Sequence, residues 1–417
     1  MRASKVWRQL LGVERTVIER VELEEDDEGV IVAHVRPFTS SASGRCGVCG
    51  RRAPGYDQGE GRRRWRALDL GVTKAFLEAE APRVRCPAHA VVVAAVPWAR
   101  HGSRFTRWFE DVVAWLARHT SKHAVTQLLR ITWRTVGSIV ARVVAAARED
   151  NDPFEGLTRI GIDEISFKRG QRYLTVVVDH DSGRLVWAAP GRDKKTLARF
   201  FDALGRSRSW KLRLVSADAA DWIAAVVRSR CMNARLVLDP FHIVAWATDA
   251  LDEVRREVWN AARQSGATAH AKQLKGARFA LWKNPERLTG RQRATLAWVA
   301  TVNRPLYRAW LLKEELRQVF ALKGEAGIAL LRHWLGWAAR CRIEPFVKLA
   351  RSIRARLPDI HATLRTGLSN AIVESTNTKL RLLMRVAFGY RDTDALIAMA
   401  MLDRGGLCPP LPGRAAA

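Results

Sequence analysis

The sequence predicts an α/β protein, built on a mixed sheet with helices on its faces and a large all-helical block. Three observations carry this reading. Residues 157–243 alternate β-rich runs with helical ones, and residues 244–360 keep helical periodicity throughout. Ahead of them, residues 1–100 combine short strand patterns with two Cys-bearing knuckles, and residues 101–150 read as three helices. A chain of 417 residues with 48% hydrophobic content has material for more than one core. Its 70 Lys and Arg against 42 Asp and Glu give a formal charge of +28. Such an excess points to a polyanionic partner, nucleic acid first, with a generally basic surface as the plainer alternative. No apolar run approaches the roughly 18 residues of a membrane span. The N-terminus has no sustained apolar stretch and turns acidic, so no signal peptide is expected. Cys231, Cys341 and Cys408 stand singly, which is not a disulfide framework and suits the cytoplasm.

In the first segment, RTVIERVELEEDD and EGVIVAHVRP alternate as two short strands. GRCGVCGRRAPGYD then presents Cys46 and Cys49 as C-x2-C, and RVRCPAHA presents Cys86 and His89 as C-x2-H. Two such knuckles can surround one tetrahedral Zn²⁺ with sulfur and imidazole ligands. The long gap between them holds two further strand-like runs, RRRWRALDL and KAFLEAEA. The alternative is chance Cys pairs in a basic loop, which leaves free surface thiols that proteins avoid.

In the second segment, SRFTRWFEDVVAWLARHT places Phe105, Phe109, Val112, Val113 and Leu116 on a helical stripe. A shorter helix, a tight RIT turn and a longer helix from near Thr132 follow, the pattern of a helix-turn-helix. Trp133, Arg134, Thr135 and Ser138 then fall, exposed, at the start of a helix able to read DNA. An ordinary helical linker domain would show the same short pattern.

The third segment reads as three strands in meander (TRIGIDEISF, RYLTVVVDHD, SGRLVWAAP), then helix, strand, helix, strand. DKKTLARFFDALG is the first helix, capped by Asp193. LRLVSAD and ARLVLDPFHIV are the fourth and fifth strands. In the helical block that follows, Trp259, Trp282, Trp298, Trp310, Trp334 and Trp337 are interleaved with Lys and Arg; most are expected to pack helices together.

Asp163 lies within the first strand of the meander and Asp218 closes the fourth. If those strands are neighbours, the two carboxylates meet at one end of the sheet. Farther on, SNAIVESTN reads as a helix with Asn370, Glu374, Asn377 or Thr378, and Arg381 along one face, while Ile372, Leu380 and Leu383 turn to a core. Such a helix needs only to bring Glu374 over that sheet end. Three carboxylates without Arg partners repel one another, and a hard divalent cation such as Mg²⁺ relieves the repulsion. Two such ions can activate a water or a 3′-hydroxyl and stabilise the leaving oxygen of a phosphodiester. Taken singly, Asp163 also suits a strand-end carboxylate on backbone amides, and Asp218 a helix N-cap. Asp239 ends a strand too and is the alternative second carboxylate.

These motifs, in order, resemble those of bacterial insertion-sequence transposases of the ISL-three family. The resemblance covers nearly the whole chain: CGVCG…RCPAH, the helix-turn-helix, GIDEISFK, VSAD with DPFH, and SNAIVESTN…GYRD. It implies an RNase H-like DDE catalytic domain, with Asp163, Asp218 and Glu374 as the triad and Asp239 and His242 of DPFH beside the site. Relatives often carry Cys where His89 stands, and His is an acceptable zinc ligand. The expected organisation is a strand and zinc-ribbon region at 1–100, a helix-turn-helix at 101–150 and a first catalytic part at 157–243. A helical insertion at 244–360, catalytic helices at 361–403 and a tail at 404–417 complete it. The implied activity is metal-dependent DNA cleavage and 3′-OH strand transfer, with two Mg²⁺ or Mn²⁺ and one structural Zn²⁺. The implied partners are terminal inverted repeats and target DNA, bound partly through Arg381, by a dimer or larger assembly near the nucleoid. An inactive DNA-binding regulator and a nuclease without strand transfer are the alternatives.

Overall fold

The computed structural model of the chain describes residues 3–24, 29–38, 44–168, 170 and 172–414. It divides into two compact units, one formed by residues 1–153 with 379–417 and the other by 154–378. Within the described residues no helix is long and apolar enough to cross a membrane.

The first unit contains strands β1 (Thr16–Glu24), β2 (Val30–Pro37), β3 (Gly55–Asp57), β4 (Arg62–Arg66), β5 (Lys74–Glu80), β6 (Arg83–Cys86) and β7 (Ala90–Val93). The two N-terminal strands expected from the sequence are β1 and β2; the acidic residues 25–28 between them lie outside the described residues. β1, β2, β5 and β4 form one sheet in that order, and β3, β6 and β7 a smaller one. β5 alternates buried and half-buried positions, so Ala75, Leu77 and Ala79 join Val35, Trp65 and Trp98 in a core under one sheet face.

Three helices follow: Arg107–His119, Lys122–Leu129 and Trp133–Asp150, each started by a hydroxyl cap on a backbone amide, from Thr106, Ser121 and Thr132. The break between the second and third is made at Arg130, whose φ of 51° ends the shorter helix. Phe109, Val113, Val125, Val136, Ile139 and Val140 are buried; Phe105 lies ahead of the first helix, stacked on Phe109. The last helix, Thr393–Arg404, packs on the first and third of these, and Arg118 pairs with Asp403 at 3.3 Å. The sequence alone groups this helix with the catalytic ones. Its buried Leu396, Met399, Ala400, Met401 and Leu402 instead complete the helical core of the first unit.

The second unit holds strands β8 (Arg159–Lys168), β9 (Arg172–Asp179), β10 (Leu185–Pro190), β11 (Leu214–Ala217) and β12 (Arg235–Leu238), in one sheet of order β10-β9-β8-β11-β12. The meander pairs antiparallel, and β11 lies parallel to both β8 and β12. β11 and β12 are short apolar runs because both their faces are covered. Asp193 caps the helix Lys194–Leu204 as expected. The fifth strand is shorter than the sequence reading: it stops at Leu238, because Pro240 opens the helix Pro240–Gln264, where its fixed φ and missing N–H suit the first turn. The edge of β12 is blunted by Thr363, whose hydroxyl bonds both the N–H and the C=O of Leu238. Seven further α-helices between Thr268 and Thr366 lie on the same apolar core. The six Trp named above pack there: Trp334 and Trp310 are buried, and the other four are partly so.

Candidate active site and metal centre

The parallel register decides which side chains meet. Ile162 pairs with Ala217, and Ala217 with Leu238. The next residue on each of the three chains is therefore Asp163, Asp218 and Asp239, at one level across three neighbouring strands. Ligand oxygens of Asp163, Glu164 and Asp218 lie within 4.8 Å of one another, and so do those of Asp218 and Asp239 with a ring nitrogen of His242. Asp218 belongs to both groups. His242 Nδ1 is 3.0 Å from Asp218 and 2.9 Å from Asp239.

Two simpler roles are answered by geometry. The helix after β11, Asp221–Arg230, has Ala220 at its N-cap, so Asp218 does not cap it. Asp239 occupies the cap position of the next helix, but its side chain makes no capping bond. Asp163 does accept one backbone amide, from Glu164 at 2.7 Å.

Crowding shows in the protonation equilibria. Burial, then the nearby Asp218 charge, pushes Asp163 up to about 6. Glu164 is pushed up to about 7, chiefly by burial, with Arg192 opposing. The carboxylates of Asp218 and then Asp239 beside its ring hold His242 protonated, up to about 10. An imidazolium thus lies between two carboxylates, while Asp163 and Glu164 pay the penalty of dry like charge.

The helix Ala371–Val386 docks on the face bearing Asp163 and Asp218. Gly161 and Ser216, two residues before those aspartates, face the same way. A Cβ at Gly161 would lie 2.3 Å from Cγ2 of Val373, so only glycine admits this approach. Ser216 donates to Asn370 Oδ1 at 2.5 Å and meets His180 Nε2 at 2.7 Å. Asn377 donates to Asp163 Oδ2 at 2.7 Å, while its own Oδ1 is buried without a partner among the described residues.

The sequence reading put Glu374 on the same face as Asn370 and Asn377. The packing seam runs instead through Asn370, Val373, Thr376 and Asn377, all buried, and Glu374 is exposed beside it. At about 100° per residue Glu374 lies roughly 100° around the helix from Val373, which places it at the rim of the seam. It belongs to neither carboxylate group among the described residues. Ile372, expected in the core, is exposed, and so is Arg381. Sequence reasoning missed Glu164, though it adjoins Asp163, and missed the contact from Asn377 to Asp163. The doubled acid in GIDE and the two amides flanking Glu374 were the available signals.

In the first unit, Cys46, Cys49, Cys86 and His89 converge with all ligand atoms within 4.8 Å. Their edges are 3.8 Å for Cys49–Cys86, 3.7 Å for Cys46–His89 and 3.6 Å for Cys86–His89. A tetrahedron with Zn–S bonds of about 2.3 Å has S···S edges of about 3.8 Å. The set fits a structural Zn²⁺. Bonds from the amide of Ala88, then the His89 ring, bring the Cys86 thiol down to about 6, which favours the thiolate a metal needs. At the helix-turn-helix, Trp133, Arg134 and Ser138 are exposed as expected; Thr135 is half-buried, its hydroxyl 2.8 Å from that of Thr132.

Residues 160–400 match the family model of the ISL3 DDE transposases, described as "Transposase". The chain belongs to this family. Residues 94–144 match the "Helix-turn-helix domain of transposase family ISL3", and residues 42–89 the "zinc-finger of transposase IS204/IS1001/IS1096/IS1165". Over 99% of its length it is 57% identical to the "Transposase for insertion sequence element IS1557" of Mycobacterium tuberculosis, covering 98% of that protein. It is 26% identical to the "Transposase for insertion sequence element IS1001" of Bordetella parapertussis, over 94% of this chain and 95% of that one. It is a DDE transposase of an insertion sequence, with a zinc ribbon and a DNA-binding helix-turn-helix.

Proposed function

We propose that this transposase cuts the ends of its element with Asp163, Asp218 and Glu374 as catalytic carboxylates on an RNase H-like core, and joins the freed 3′-hydroxyl to target DNA. The observation that carries this reading is the register placing Asp163, Asp218 and Asp239 at one level across three parallel-paired strands. The sheet order, a meander followed by two parallel strands, supports the RNase H-like assignment. Asp218 is favoured as second carboxylate because it adjoins Asp163, whereas Asp239 lies one strand farther out.

The chain's own groups prepare the site. The Glu164 amide and the Asn377 side chain each hold one oxygen of Asp163, fixing the carboxylate plane and leaving lone pairs outward. His242 keeps Asp218 oriented and part-neutralised. Glu374, at the rim of the docked helix, is the last ligand, and Asp163, Asp218 and Glu374 would hold two Mg²⁺ or Mn²⁺. Such ions, when bound, would activate a water or 3′-hydroxyl and stabilise the leaving oxygen.

The zinc ribbon and helix-turn-helix read the terminal inverted repeats, with Trp133, Arg134, Thr135 and Ser138 at the base edges and Arg381 on phosphate. Synapsis of two ends requires a dimer or larger assembly, working at the nucleoid. The test is to incubate the protein with a duplex carrying the terminal repeat, with and without Mg²⁺. Metal-dependent nicking at the repeat boundary and joining of a pre-cut 3′-OH end support the reading. Nicking without joining marks a nuclease, and binding with neither marks a regulator.

A further inference from the structure

The turn after the helix Ala371–Val386 carries a side chain that the fold does not use. Phe388 is 99% exposed and has φ 54°. Its N–H bonds the carbonyl of Arg385 at 3.0 Å, and Gly389 N–H bonds that of Met384 at 2.8 Å. This left-handed turn satisfies the last carbonyls of the helix, and its left-handed position is ordinarily glycine. A phenylalanine there bears the steric penalty of a Cβ at positive φ and leaves its ring in water. Glycine would close the helix better on both counts, so the ring answers to something outside the fold.

The turn is anchored. Lys122 Nζ lies 5.5 Å from the ring of Tyr390 and 5.5 Å from that of Trp133, the first residue of the third helix of the helix-turn-helix. Leading up to the turn, Leu382 and Val386 are exposed one helical turn apart. Helical spacing puts exposed Lys379 on one side of that pair and exposed Arg381 and Arg385 on the other. Arg391 follows, also exposed, and the next carboxylate, Asp392, is turned to capping the following helix. An apolar ring projecting from a cationic strip suits a ligand with charged backbone and flat apolar bases. A second copy of this chain, itself at +28, is repelled by such a strip.

We propose that Phe388 inserts into the base stack of the bound DNA and unstacks a base, while the Lys379–Arg391 segment holds the phosphates on either side. Apolar wedges flanked by Arg and Lys distort duplexes in this way, and aromatic rings replace the lost stacking. The proposal rests on DNA being the substrate, and binding is therefore read in the same sample. The full chain is mixed with terminal-repeat duplexes carrying 2-aminopurine at successive single positions, and anisotropy and 2-aminopurine fluorescence are recorded together. Wild type is expected to raise fluorescence severalfold at one or two adjacent positions. F388G, which suits the backbone, should melt no lower than wild type and give no rise, and F388W should keep it. Affinity of F388G for the intact duplex should fall by less than about tenfold, since stacking gained and unstacking lost nearly offset. A bound wild-type complex with no responsive position overturns the proposal while leaving end binding intact. So does F388G with an unchanged rise, or F388G that alters only the sedimentation of the free protein, which would make the ring a protein contact.

Discussion

The two candidate metal sites of this chain are built in opposite ways. The zinc set closes within itself: Cys46, Cys49, Cys86 and His89 reach tetrahedral spacing from two knuckles on the β6–β7 hairpin and its neighbour. The proposed catalytic set is open: Asp163 and Asp218 stand side by side, Glu164 and Asp239 crowd them, and Glu374 lies exposed at a helix rim. The difference follows from charge. Metal displaces the thiol protons as it binds, and before that the Cys86 thiolate has hydrogen-bond donors rather than like charge beside it, so the set converges with little repulsion. Carboxylates are ionised at neutral pH, and burial with like charge raises Asp163 and Glu164 to about 6 and 7. The zinc set stands closed, and the proposed catalytic set stands open.

The sharpest way to break this comparison is to remove a ligand from each site. D163N, D218N and E374Q are each expected to lower end cleavage by about three orders of magnitude or more, the worth of several kcal/mol of charge stabilisation. DNA affinity in a gel shift should stay near wild type. Near-wild-type cleavage by any one of them removes that residue from the site. C46S/C49S should behave inversely, losing Zn²⁺ by elemental analysis and end binding with it, because such ribbons fold on their ion. Retention of zinc by that variant would unseat the four-ligand assignment.

A smaller effect tests how the open site is held. In G161A the new Cβ meets Val373 at 2.3 Å, so the docked helix must shift and carry Glu374 and Asn377 with it. Overpacking of this kind destabilises by about 1–3 kcal/mol. Cleavage should fall more than thermal stability alone explains, and G161A/V373A should recover part of it. Without recovery, glycine at 161 has another reason.

The smallest effect concerns the metal-free protein. Asp163 has its folded equilibrium raised to about 6, against about 3.9 for an unfolded aspartate. Its contribution is therefore fully present below pH 4 and lost as pH rises through 6. D163N should melt a few degrees above wild type at pH 7.5 and no higher at pH 4. Added Mg²⁺ should narrow the gap by stabilising wild type. A constant difference across pH would mean that Asp163 carries no such strain.

How much of this was legible in the sequence depended on range. Short periodic signals served well: Asp193 caps its helix as its local pattern indicates, the longer helix begins at Thr132, and the strand order brings Asp163 beside Asp218. Cys46 and His89 meet because their knuckles are short and self-contained. What escaped were facts set by tertiary packing. Helical spacing places Glu374 near Asn370 and Asn377, but only the position of Gly161 decides that the seam centres on Val373. The destination of the helix Thr393–Arg404 likewise depends on which apolar surface is left uncovered, and no local pattern records that.

The central claim is that Asp163, Asp218 and Glu374 together hold the catalytic cations. Counting Mn²⁺ bound to the zinc-loaded protein on a terminal-repeat duplex, by electron paramagnetic resonance, addresses it directly. Wild type should bind two ions, and D163N, D218N and E374Q should each lose at least one. If E374Q binds both as tightly as wild type, the rim carboxylate is not a ligand and the open site closes through some other residue.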